Sequence, residues 1–467
     1  MSRLIGKPKN QIDLSVLSKY ARFYLSENPF PAHPYVNQES TDKRTNGFVY
    51  EMEIRKNEYD RIKDNFLQAP QVDANHPRLG YIVDTSYVGR GNGKSAFLLN
   101  LQQNINRAYC IDISNEINKC FAVYVSPRPS GQTKSFYNVV DLIFQAIIRT
   151  NVIDDTLAIL RYDALSRISP EALSRIEDED EDSIVSKLST EEWFKDNSVD
   201  YADVAHQIKE NESIKKLDPD FPLNIETAWI GSRIATKNDF HEYYERLRPQ
   251  ERLNFLFTEM IYFFTAAGFN GAYVLVDDFE RIPNFQTARQ KTDFATELRS
   301  ALFDGFTLNA ITGFFNIILV LHAGVHRLIS EAWAESGMGN RSPIELTTEA
   351  YHVIPFEKLT QGHALLLLKK YLSEYRTVPE YSDSLIPFTE RAIYRIGELS
   401  EYNAARMLKM AHDLLERISV IAEQEMIDEA FVEASRDKLA LDSNRAIPEI
   451  GEVASEDLIK KAQAGEW

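Results

Sequence analysis

Residues 79–101 read LGYIVDTSYVGRGNGKSAFLLNL, and the reading of the fold turns on them. Tyr81, Ile82 and Val83 form an apolar run of strand character, a loop with Gly89, Gly91 and Gly93 follows, and from Lys94 onward Phe97, Leu98, Leu101 and Ile105 recur at helical spacing. Strand, glycine loop and helix in that order can cradle a polyphosphate. Glycines let backbone N–H groups point inward, and the helix N-terminus adds a partial positive charge. The spacing fits G-x-x-x-x-G-K-[ST] at Gly93, Lys94 and Ser95, but Val88 stands at the first glycine position and Gly89 comes one place later. Contacts in such a loop span Gly89, Arg90, Gly91, Asn92, Gly93, Lys94, Ser95 and Ala96. Lys94 reaches the β- and γ-phosphates, and the Ser95 hydroxyl completes the shell of a Mg²⁺ ion. The competing reading is a glycine-rich turn that happens to precede a lysine. The flanking strand and amphipathic helix favour the cradle, and Val88 bears on loop geometry more than on phosphate binding.

With 467 residues the chain is long enough for about three units of ~150 residues and a substantial core. Its formal net charge of −18 disfavours non-specific coating of nucleic acid or anionic membrane, while leaving room for a local basic face. Cys110 and Cys120 make neither a disulfide framework nor a metal-ligand spacing, so they read as ordinary semi-buried thiols in a reducing cytoplasm. The first residues, MSRLIGKPKNQIDLSVL, hold no apolar core of signal-peptide length, and no later run approaches ~20 uninterrupted apolar residues. The expectation is a soluble, unexported, cytoplasmic chain without a membrane partner.

Residues 1–78 read as a helical and Pro-rich leader, with NPFPAHPYV at 28–36 barred from regular helix and a helix over 51–66. Beyond the loop, CFAVYVS at 120–126 is a buried parallel strand, and Phe136, Val139, Val140, Ile143 and Ile147 mark a helix. Residues 151–237 loosen into an acidic, mostly helical insertion containing EDEDED at 177–182, read as a solvated loop or, less readily, a dock for a basic partner. A buried helix over 253–267 ends at Gly268.

AYVLVDDFERI at 272–282 is the second informative stretch. Its strand ends in Asp277 and Asp278 at the carboxyl edge of a parallel sheet, where open α/β folds bind ligands. Successive strand residues face opposite sides, so Asp277 can hold Mg²⁺ while Asp278 orients or deprotonates the attacking water. The alternative is a helix N-cap after a core strand. Another apolar strand, FFNIILVLHA at 314–323, carries His322 near its end, either a contact to the γ-phosphate or lytic water or a satisfied core histidine. YHVIPF at 351–356 supplies a fifth strand. Helices then read over 360–372, 388–399, 402–418 and 428–436, with Arg406 at the opening of the third and an acidic, frayed tail over 439–467.

This order of parts resembles the AAA+ superfamily of P-loop ATPases over about residues 28–436, interrupted by the insertion. The segment IPFTERAIYRIGELSEYNAARMLKMAHDLLE at 386–416 is similar to the lid of the branch holding origin-recognition proteins, transposition-regulator ATPases and related defence ATPases. VDDFER at 276–281, with Asp-Asp for Asp-Glu, looks closer to the signal-transduction (STAND-like) and KAP-type ATPases. The resemblance implies a P-loop core over 79–356 and a helical lid over 357–438, with ATP and Mg²⁺ as cofactors. It makes Lys94 and Ser95 the phosphate and metal contacts, Asp277 the metal aspartate and Asp278 the catalytic acid. His322 falls near the first sensor and Arg406 at the second. Self-assembly is implied, with Arg327 and Arg341 candidates for an arginine given to a neighbouring subunit or simply surface residues.

Two functions follow. One is an ATPase switch that assembles with or activates partner proteins, with DNA as a further partner, in which hydrolysis needs little beyond charge neutralisation and alignment. The other is a nucleotide-stabilised scaffold with little or no hydrolysis, favoured by Val88 and the Asp-Asp pair. No zinc-finger spacing or evident recognition helix supports DNA binding.

Overall fold

The computed structural model describes residues 19–68, 77–86, 90–128, 131–223, 234–322, 324–344, 350–421 and 423–443. These divide into two compact units. One lies within Met1–Lys56, Val88–Leu99 and Lys358–Glu449, the other within Asn57–Tyr87, Asn100–Glu357 and Ile450–Trp467.

The second unit is α/β. Its strands are β1 (Leu79–Asp84), β2 (Cys120–Val125), β3 (Gly271–Val276), β4 (Phe315–Leu321) and β5 (Val353–Phe356). They form one all-parallel sheet in the order β2-β3-β4-β1-β5. Every residue of β1 to β4 is buried, as continuous apolar runs require when both faces are covered. Alternate residues, among them Tyr81, Val123, Val274 and Ile317, enter one core. They share it with helices α2 (Phe136–Arg149), α3 (Val152–Ile168), α4 (Met260–Ala266), α5 (Ala288–Leu302) and α6 (Val325–Glu335). On the opposite face the Tyr273 hydroxyl donates to the Phe66 carbonyl at 2.7 Å. There Gly80 leaves room for the Phe66 ring, which an added Cβ would meet at 2.4 Å. The helix after β1, α1 (Lys94–Arg107), reaches this unit through its later residues, and Asn106 donates to the Ala122 carbonyl at 2.9 Å.

The strand order locates a crevice. From β1 the chain crosses to β2 at the far edge, returns through β3 and β4, and passes over β1 to β5. Right-handed crossovers then send the connections after β1 and after β4 to opposite faces. The chain therefore leaves these two paired strands toward opposite faces at their carboxyl ends, the place where open sheets take ligands.

Described residues of the 151–237 segment form helices and no strand: α3, then Pro170–Leu173, Glu181–Leu188, Glu191–Asp196 and Tyr201–Lys209. Arg161, fully buried, ties them by donating to the Leu188 carbonyl, the Ala235 carbonyl and the Tyr201 hydroxyl. The EDEDED run is a loop only in part. Asp180 caps the helix Glu181–Leu188 by accepting the Ser183 N–H, and Glu181 and Asp182 form its first turn, where the helix dipole favours carboxylates. Cys110 and Cys120 are free thiols and fully buried, deeper than their composition suggested.

In the first unit the C-terminal helices α7 (Gln361–Glu374), α8 (Glu390–Leu399), α9 (Ala404–Ser419) and α10 (Glu429–Ser443) share a core with Tyr20, Phe23, Leu25, Phe30 and Ile54. The stretch read as a leader thus packs with these helices. Its Pro-rich 28–36 segment holds no helix. Lys19, Tyr20 and Asn28 all donate to the Glu416 carboxylate on α9. Burial works to raise that carboxyl, but these hydrogen bonds outweigh it and hold its pKa at about 2. Of the 439–467 tail, residues 444–467 lie outside the described residues. Among the described residues no helix is long and apolar enough to cross a membrane.

Candidate functional site

The glycine loop is held by its carbonyls. Asn403 donates through Nδ2 to the Arg90 carbonyl at 2.7 Å, the Ala405 N–H donates to the Gly91 carbonyl at 3.0 Å, and Arg55 donates to the Asn92 carbonyl and side-chain oxygen at 3.1 Å each. In a planar trans peptide the next N–H points opposite to the carbonyl. The N–H groups of Gly91, Asn92 and Gly93 are therefore turned away from Asn403, Ala405 and Arg55. Successive backbone amides at the start of a helix are groups able to bind an anion.

Two glycines make the turn possible. Gly91 has φ +94° and Gly93 has φ +88°, values that favour glycine. A Cβ on Gly91 would stand 2.7 Å from Asn403 Oδ1 and 2.8 Å from the Ala405 Cβ, whereas a Cβ on Gly93 would meet nothing within 4 Å. Lys94 opens α1 and is buried; Ser95 and Ala96 follow it, half-buried. Val88 and Gly89 lie outside the described residues. Arg406 belongs to this same unit, one residue past the Ala405 contact, with its backbone N–H capped by Asn403 and its guanidinium 3.5 Å from Glu401.

At the carboxyl edge of the sheet the chemistry sits on side chains. Asp277 follows β3, is 2% exposed, and accepts the Tyr124 hydroxyl at 2.7 Å. Asp278 takes the left-handed conformation, φ +46° and ψ +43°, which breaks the strand and starts the short turn Phe279–Arg281. Its carboxylate pairs with Arg281 through Oδ2 and lies 3.2 Å from His322 Nε2 through Oδ1. Arg281 in turn donates to the Pro127 carbonyl at 2.9 Å and the Ser126 hydroxyl at 3.2 Å. His322, directly after β4, is buried. Its Nε2 also lies 3.3 Å from Glu280 Oε1, and its Nδ1 lies 4.0 Å from Asp84 Oδ2 at the end of β1. His322 is thus a core histidine by burial and a member of a polar cluster by contact.

The structure brings together Asp278 and His322 in one unit, and Arg90, Gly91, Asn92 and Arg406 in the other. Arg327 and Arg341 are exposed on the sheet-bearing unit. Sequence reasoning passed over Arg55, Asn403, Tyr124, Glu280 and Asp84. Only Asp84, closing the first strand as Asp277 closes the third, carried a signal that could have been read. No family model matches the chain, and no curated protein or solved structure matches it.

Proposed function

We propose that the chain binds Mg·ATP at the glycine loop and hydrolyses it slowly, as a P-loop ATPase of AAA+ type whose nucleotide state sets its assembly with partner proteins. The observation that carries this reading is the anchoring of three successive loop carbonyls, which leaves the amides of Gly91, Asn92 and Gly93 turned away from Asn403, Ala405 and Arg55, as a phosphate cradle requires. The residues fit the group. Open space at Gly93 leaves room that a side chain would fill, and the Ser95 hydroxyl that follows the loop is a hard-oxygen donor of the kind Mg²⁺ takes; the Asp277 carboxylate is added to it by the family resemblance. Bound there, Mg²⁺ would neutralise charge on the phosphate oxygens.

The chain's own residues divide the remaining work. Lys94 binds the terminal phosphates as a point charge. Tyr124 fixes the Asp277 carboxylate, and Asp278 accepts a proton from the attacking water, oriented by His322 and Arg281. Arg406, near the loop anchor, reads the terminal phosphate, so that its contact exists only before hydrolysis. The switch in strand order between β1 and β4 supports the reading of an α/β core, and the lid rests on the family resemblance. The choice of ATP, self-assembly, protein partners and possible DNA association rest on the family resemblance. Duplex affinity, where electrostatic, should fall steeply as salt rises.

Steady-state phosphate release by the purified full chain tests the reading. Asp278→Asn should lower it at least ~10²-fold, the usual worth of a positioned general base. The engagement of both Asp278 oxygens by Arg281 and His322 favours a second reading, a scaffold that binds ATP without turnover. In that case wild type releases no phosphate above background, while Lys94→Ala still abolishes ATP binding.

A further inference from the structure

We propose that Asp278, Glu280 and His322 form a second cation site, selective for a first-row transition-metal dication of the Zn²⁺, Co²⁺ or Mn²⁺ class, distinct from the Mg²⁺ of the nucleotide reading and, when filled, replacing the proton-accepting role of Asp278. One ligand atom from each of the three lies within 4.8 Å of the others. Two donors held ~2.1 Å from a common ion at tetrahedral or octahedral angles stand roughly 3.0–3.4 Å apart. His322 Nε2 lies 3.2 Å from Asp278 Oδ1 and 3.3 Å from Glu280 Oε1. Two edges of the coordination polyhedron are therefore already set.

The donor chemistry selects the ion. An imidazole nitrogen with two carboxylates suits Zn²⁺, Co²⁺ or Mn²⁺, whereas Mg²⁺ prefers oxygen alone. The surroundings resemble those that tune metal ligands. Asp84 Oδ2 lies 4.0 Å from His322 Nδ1, on the ring's far side, and Arg281 holds the Asp278 oxygen that does not face the histidine. Burial also fits: the Glu280 and His322 side chains are 1% and 5% exposed, while that of Asp278 is 15% exposed and leaves the ion a path from solvent. The turn is rigid because Phe279 and Ile282, either side of Glu280, are buried in the sheet's core.

Titration of the full-length, metal-stripped chain with Co²⁺, without nucleotide, tests the site. One Co²⁺ per chain should bind with visible ligand-field absorption, and Zn²⁺ should displace it. His322→Ala and Glu280→Gln should each weaken binding ~10²-fold or more, and His322→Gln serves if the alanine variant unfolds. Asp277→Asn should retain Co²⁺ while losing Mg·ATP-dependent turnover, which separates this site from the nucleotide reading. Absence of saturable absorption, or equal Co²⁺ affinity in a folded His322 variant, would show that the imidazole merely bridges two carboxylates and overturn the proposal.

Discussion

The glycine loop and the carboxyl edge of the sheet are built from different materials. In the loop the polar groups are backbone, three carbonyls held by Asn403, Ala405 and Arg55, and the geometry depends on two glycines at positive φ. At the sheet edge they are side chains, Asp277 on Tyr124 and Asp278 between Arg281 and His322, on turns whose apolar neighbours are buried. A backbone cradle tolerates most side-chain changes and fails where a Cβ is forbidden. A cluster of buried side chains keeps its fold under conservative change and loses chemistry one functional group at a time.

Substitutions that respect this contrast should separate the two halves. The largest effect is expected for Gly91→Ala, where positive φ and contacts of 2.7 and 2.8 Å act together and cost roughly 2–4 kcal/mol, with loss of ATP binding. Gly93→Ala carries only the backbone strain, roughly 1–3 kcal/mol, because its Cβ is unobstructed. Thermal unfolding of the pair checks the order, and equal losses would break the contrast. A smaller change is expected for Tyr124→Phe, which removes one hydrogen bond to Asp277, worth about 0.5–1.5 kcal/mol or up to 3 with a charged acceptor. Melting should shift little while phosphate release falls several-fold, and unchanged release would detach Tyr124 from the chemistry.

A further effect, confined to acid, concerns neither half directly. Glu416 is held at about 2 in the folded chain against an ordinary 4.5, so its contribution is fully present above pH 4.5 and is lost as pH falls toward 2. Wild type should therefore lose melting temperature through that window more than Glu416→Gln does. Parallel acid profiles would remove the anchor between Tyr20 and α9.

Legibility followed the same divide. The strands were readable because each is a continuous apolar run covered on both faces, and the loop because glycine and lysine sit at fixed spacing before an amphipathic helix. Asp277, Asp278 and His322 were found because strand ends are positions in the sequence. What held them was not readable. Asn403 lies 313 residues from the Arg90 carbonyl it anchors, and no local pattern encodes such a contact. Glu280 was passed over, because the left-handed Asp278 ends the strand's alternation and a short turn then carries the glutamate to His322. The leader expected over 1–78 showed the same limit, since Phe23, Leu25 and Phe30 find their partners on helices more than three hundred residues later.

Calorimetric titration of the full chain with Mg·ATP is the most direct test of phosphate binding at the Lys94 loop. One saturable site is expected in wild type, with affinity reduced at least ~10-fold in a folded Lys94→Ala variant, since a hydrogen bond to a charged group is worth about 1.5–3 kcal/mol. Heats no greater than dilution in wild type, or undiminished binding by Lys94→Ala, would contradict it.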